Sequence, residues 1–194
     1  ADSVGAPAPN ADAEMCAMFA EAVAATGLSD DDFVIRISNR KIVDGLFQTL
    51  SLDGDGDAET RLTVMRSMDK FDRLGAEGVA LLLGPGRKDE SGDFTEGARL
   101  EDRRIDTVIE FLKSSEGAGR AAPTLSLERI ARIVGDAPEG AVGVGELEGL
   151  KNAIPDFASR PLVFDCAVIR GLEYYTGPVF EADITVETTD EKGR

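Results

Sequence analysis

Histidine is absent from this chain of 194 residues, and cysteine occurs only twice. Zinc centres built on Cys/His clusters are therefore excluded, as is any Ser-His-Asp or Cys-His catalytic arrangement within the chain. Cys16 and Cys166 lie far apart, which suits a reducing compartment better than a disulfide scaffold, and each is expected to be a buried small residue. No run of about 18 apolar residues is present to span a bilayer. The opening residues do not carry a basic-then-apolar leader pattern. Basic side chains are scarce too, 21 against 37 acidic ones, for a formal charge of −16. That deficit argues against broad, non-specific nucleic-acid binding, which relies on a positive surface.

What is present has the make-up of a globular chain: 42% hydrophobic and 30% charged residues, neither a disordered composition nor a membrane one. Asn10 is placed to cap a helix over 11–25. Residues 33–38 (FVIRIS) read as a strand whose one arginine, Arg36, points to a face open to solvent or to a ligand. Asn39 is placed to cap a second helix over 40–50. From Asp53 the pattern turns helical for about a hundred residues. Helices are expected at 58–74, 76–83, 97–113, 126–134 and 145–154, with loops at 84–92 and 114–123. Strand character returns at 162–168 and 178–188, the latter with one mostly polar face. The expected class is α+β: segments 1–52 and 161–194 share an antiparallel sheet, and a helical domain, 53–160, is inserted between them. Three short strands make a thin sheet with exposed edges, so the chain reads as part of a longer protein.

Several motifs fail on spacing. Asp53, Asp55 and Asp57 begin like a calcium loop, but Ala58 and Val64 stand where its glycine and glutamate belong. An acidic linker with Asp57 capping the next helix is the better reading. Residues 84–88 (GPGRK) are glycine-rich and basic but lack the phosphate-loop spacing. Basic side chains recur at helical intervals in the middle segment: Arg66, Lys70 and Arg73; Arg99, Arg103 and Arg104; Arg129 and Arg132. They are either solvated faces with ion pairs or contacts for a polyanion.

The informative stretch is 170–181 (RGLEYYTGPVFE), which puts one arginine and both tyrosines of the chain within six residues. Arginine offers a planar fork for carboxylate or phosphate, and tyrosine a hydroxyl at fixed reach. This block resembles the histidine-specific signature of histidyl-tRNA synthetases, a class II family. Residues 2–5 (DSVG) resemble the end of that family's motif 2 strand, and residues 36–46 (RISNRKIVDGL) the strand and helix after it. Residues 84–99 (GPGRKDESGDFTEGAR) look like its alphaproteobacterial branch.

The resemblance implies part of a class II catalytic domain interrupted by an all-α insertion domain. Motif 1, most of motif 2, the GGGRYD segment and motif 3 are not in the chain, so by itself it is expected to be inactive. The implied reaction is ATP-dependent activation of histidine, followed by transfer to tRNA-His. Arg170 then matches the catalytic arginine that bridges the histidine carboxylate and the α-phosphate of ATP. Tyr174, Tyr175 and Asp2 match positions around the histidine side chain. ATP with Mg2+ would serve the full-length enzyme, with none bound through this segment alone and no metal site in it. Implied partners are tRNA-His, through the helical insert, and a second copy in a homodimer, with no membrane and a cytoplasmic location. The alternative is the synthetase-like regulatory subunit of ATP phosphoribosyltransferase, which tends to lose the arginine and the insert. A stand-alone RNA-binding helical module is a third reading.

Overall fold

A computed structural model describes residues 3–6, 8–89, 91–166, 168–169 and 174–186. Its centre is β1 (Phe33–Asn39), flanked by β4 (Leu162–Phe164) on one side and β5 (Pro178–Ile184) on the other. Alternation along β1 turns Phe33, Ile35 and Ile37 into the core. Their register partners Leu162, Phe164, Phe180 and Ala182 extend the same face. Val34, Arg36 and Ser38 lie on the other.

The core face is covered by α1 (Asn10–Ala24), α2 (Arg40–Thr49), α6 (Leu125–Val134) and α7 (Pro138–Ala153), each in contact with the sheet. Between α2 and α6 come α3 (Ala58–Met68), α4 (Phe71–Leu83), the hairpin β2 (Gly86–Lys88) and β3 (Phe94–Glu96), and α5 (Asp102–Lys113). The start of α4 and the end of α5 lie over the outer face of the sheet. One hydrophobic cluster joins Ile35 and Leu46 to Val64, Leu83 and Phe111, so the core is continuous across residue 53.

The α+β class is as expected, and the pairing within it differs. β1 and β5 are antiparallel, but β1 and β4 run parallel. A parallel pair needs a long crossover, and the helices between Arg40 and Pro161 supply one. Asn39 caps α2 as expected, its side chain accepting from the Lys41 amide at 3.0 Å. Asn10 does not cap α1: it lies within the first turn, and Pro9 occupies the cap position. Asp57 turns back instead of forward, its carboxylate accepting from the Gly54 amide at 3.1 Å.

The helix expected over 58–74 is broken at Asp69 and Lys70. The Thr63 and Ser67 hydroxyls bond the carbonyls one turn back, a habit that loosens a helix. Gly75, at φ 63°, then kinks α4 where a boundary was expected. The loop expected over 84–92 holds β2, which pairs with β3. Gly86 is required there, since a Cβ would meet the Thr95 carbonyl oxygen at 2.3 Å.

The largest difference is α7. It starts at Pro138, whose fixed φ suits a first turn, well before the start expected at 145, and runs through four glycines. Two of them are packing devices. A Cβ on Gly45 of α2 would lie 2.3 Å from the Gly140 Cα, and one on Gly143 would lie 2.8 Å from the Ile42 nitrogen. The two helices meet backbone to backbone. Gly45→Ala is expected to force them apart at a cost of about 1–3 kcal/mol. Urea unfolding of the full chain measures this, and an unchanged midpoint would contradict the close approach.

Candidate functional site

Three charged constellations surround the sheet. At the entry to β5, Tyr174 and Tyr175 occupy a turn with side chains 86% and 53% exposed. The Gly177 carbonyl of that turn accepts from the Arg40 amide at 3.0 Å. Arg170 and Asp2, the other residues expected at the site, lie outside the described residues.

Behind this turn sits a polar cluster. Asn39 is fully buried, and its Nδ2 donates to Glu146 Oε2 at 2.8 Å. Glu146, on α7, also pairs with Lys41. Asp12 of α1 faces the same group. Burial first, and the Glu146 charge second, push its carboxyl above the ordinary range, with Lys41 opposing.

On the outer face, Arg36 forks between neighbouring strands. Its Nη1 lies 3.3 Å from Asp165 Oδ2, and its Nε lies 2.7 Å from Asp183 Oδ2. Asp165 is buried and also accepts from the Ser115 hydroxyl. Two cavities of about 260 Å³ each meet at Arg36. One is walled by Phe71, Leu112 and Ser115, the other by Asp69, Glu181 and Asp183. Beside them, the buried Ser38 hydroxyl has no hydrogen-bond partner among the described residues. The open face expected around Arg36 is thus a charged cleft, closed on one side by α4 and α5. The sequence marks Arg36 but not its partners. The alternating acids of the last strand are the available signal for Asp183.

The third constellation is basic. Lys70, Arg73 and Arg87, with one acid, Asp89, border a cavity of about 500 Å³ between α4 and the hairpin, and Leu74 and Leu82 supply apolar wall. None of the three cations has a side-chain ion pair or hydrogen bond among the described residues. The helix break at 69–70 separates Arg66 from Lys70 and Arg73, and Arg87 joins them instead. Arg129 is engaged otherwise: it donates to the carbonyls of Ser114 and Glu116 at the end of α5, where a cation suits the helix dipole. Both cysteines are buried. Burial pushes the Cys16 thiol up to about 12, against a small opposing pull from Arg160, and pushes Cys166 up further, with Asp165 adding to it.

This sequence matches the family model described as Histidyl-tRNA synthetase over residues 1–185. The chain belongs to the histidyl-tRNA synthetase family. It is 47% identical over 195 residues to the histidine–tRNA ligase of Rhizobium leguminosarum bv. trifolii, covering all of this chain and 37% of that protein. It is 46% identical to the Caulobacter vibrioides ligase, of which it covers 38%. The chain therefore spans little more than a third of the length of these relatives, whose alphaproteobacterial sources fit the branch expected from residues 84–99. Among solved structures, histidyl-tRNA synthetase from Nostoc sp. PCC 7120 superposes with a TM-score of 0.70 at 26% identity, over 92% of this chain and 37% of that one. An ATP phosphoribosyltransferase regulatory subunit/histidyl-tRNA synthetase from Bacillus halodurans gives 0.65 at 19% identity, over 90% and 39%. At that identity the likeness shows the fold alone.

The Arg36 fork is expected to matter to folding in unequal halves. Arg36→Met takes the cation from both carboxylates, the buried Asp165 among them, and should cost about 2 kcal/mol. Asp183→Asn breaks a more exposed pair and should cost under about 1 kcal/mol. Urea titrations of the two variants check the order, and the reverse order would count against the fork.

Proposed function

We propose that the protein containing this chain is a histidine–tRNA ligase. The observation that carries the reading is identity of 47% to a histidine–tRNA ligase along the whole chain, with the RGLEYY block in it. In the first step the histidine carboxylate attacks the α-phosphate of ATP, forming histidyl-adenylate and releasing pyrophosphate. The histidyl group then passes to the 3′ end of tRNA-His, releasing AMP. Attack of one anion on another needs alignment and charge neutralisation more than an acid or a base.

Arg170 is assigned the neutralising role between carboxylate and α-phosphate. Tyr174, Tyr175 and Asp2 are assigned to the imidazole. A phenol and a carboxylate that satisfy its two nitrogens reject apolar analogues, because the polar groups of the site would be left unpaired. Mg2+ is expected to accompany ATP. Among the described residues no group of acidic or cysteine side chains is placed to hold a metal, and no residue of this chain is assigned to it.

Segments 1–52 and 161–194 are proposed as catalytic-domain pieces around the 53–160 insertion. The insertion is assigned the tRNA contact. Three cations around one cavity, unpaired among the described residues in a chain of charge −16, are the feature that supports it. A homodimer and a cytoplasmic location belong to the same reading. The regulatory-subunit alternative has no comparable support, since its structural likeness speaks for the fold alone.

Two measurements on the intact protein test these assignments. Arg170→Ala should lower histidine-dependent ATP–pyrophosphate exchange by about 10²–10³-fold, the range for loss of one electrostatic donor; retained exchange sinks the catalytic role. Neutralising Lys70, Arg73 and Arg87 together to Gln should weaken tRNA-His binding and flatten its salt dependence, each lost phosphate contact removing about 0.7–0.9 from the log–log slope. An unchanged slope would take the cavity out of the tRNA contact.

A further inference from the structure

The turn carrying Tyr174 and Tyr175 has an unusual hold on the sheet. Pro178 stands opposite Asn39 in the register and has no N–H to donate. The turn is instead held through an acceptor, the Gly177 carbonyl, which takes the Arg40 N–H at 3.0 Å. That N–H is one of the donors at the start of α2 that no carbonyl within the helix can take. The next, on Lys41, is taken by the Asn39 side chain at 3.0 Å. The Lys41 bond holds only while Asn39 keeps one orientation, its carbonyl toward α2 and its amide nitrogen away; the Arg40–Gly177 bond is backbone to backbone and follows the placing of that first turn. Asn39 is fully buried, so that nitrogen needs a partner, and the partner is Glu146 at 2.8 Å.

We propose that Glu146 is a positioning residue: by fixing the Asn39 side chain it fixes the first turn of α2, and through Gly177 the turn that bears the two tyrosines. α7 thereby reaches the tyrosines through Asn39 and the first turn of α2. Lys41, also paired with Glu146, completes the ion pair and is not needed for the chain of hydrogen bonds. Its bearing on histidine rests on the function proposed above; its geometry does not.

The chain carries its own optical reporter. It has no tryptophan, and Tyr174 and Tyr175 are its only tyrosines, so tyrosine emission comes from this turn alone. In the full chain, Glu146→Ala is expected to lower tyrosine anisotropy and raise acrylamide quenching. Glu146→Gln keeps a carbonyl for Asn39 Nδ2 and is expected to keep most of the wild-type signal. Lys41→Met leaves the Asn39–Glu146 bond in place and should also leave the signal. Unchanged anisotropy in Glu146→Ala would overturn the proposal. So would equal shifts in all three variants, which would mean general loosening of α7; far-UV circular dichroism and melting curves register that separately.

In the intact protein, Glu146→Ala should raise KM for histidine about tenfold, the effect of losing roughly 1.4 kcal/mol of orientation, with KM for ATP unchanged. Equal rises in both would count against positioning of the tyrosine turn. A wild-type protein without histidine-dependent exchange would remove the function proposed above and leave the tyrosine readout standing.

Discussion

Backbone contact between α2 and α7, at Gly45 against Gly140 and at Gly143 against Ile42, sets the distances on which the rest of the molecule relies. Four glycines in one helix carry a propensity cost of about 1 kcal/mol each relative to alanine, and close packing at Gly140, Gly143 and Gly149 works against it. With the axes this near, Glu146 reaches Asn39 and Lys41 on the neighbouring element. Gly149 extends the same tight seam toward Pro9, since a Cβ there would meet the proline ring at 3.1 Å. A longer side chain at any of these points would push α7 outward and take the polar cluster with it.

The sheet has two faces with different jobs. One is apolar and closed under α1, α2, α6 and α7. The other holds Arg36 as its one arginine among the described residues, set among carboxylates under a partial roof made by α4 and α5. The excess of acid is thus not spread evenly: some of it is committed around Arg36, while Lys70, Arg73 and Arg87 gather on the far side of α4. A net charge describes only the average: at the hairpin-side cavity three cations stand beside one acid, Asp89.

Much of this is legible in the amino-acid order alone. β1 and the Asn39 cap follow from local rules, since a β-branched run and an asparagine before a helical period leave few alternatives. Tyr174 and Tyr175 stand out because the RGLEYY block is dense in side chains that suit an anion beside a polar ring. The first half of α7 is hidden, because glycine spacing that serves a helix contact looks the same as a loop. The hairpin is hidden because three-residue polar strands carry no period to read. The parallel pairing of β1 with β4, and the meeting of Arg36 with Asp165, join residues distant in sequence, and local pattern is silent on such meetings. Asn39 shows one role in the sequence, as a cap; that its other amide atom reaches α7 depends on a helix whose start the glycines conceal.

The parallel strand pair has a bearing on how the chain assembles. Partners as distant in sequence as Ile35 and Leu162 must wait for the intervening helices to condense, since closing so long a loop costs entropy that only later contacts repay. The helical middle, rich in near-neighbour contacts, can organise on its own schedule. The sheet, with the Arg36 fork and the tyrosine turn attached to it, is then expected to form late. Synthesis from the N-terminus sharpens the point: β1 and α2 emerge early with their main partners still unmade, and their apolar faces stay uncovered until α7 and β4 have left the ribosome.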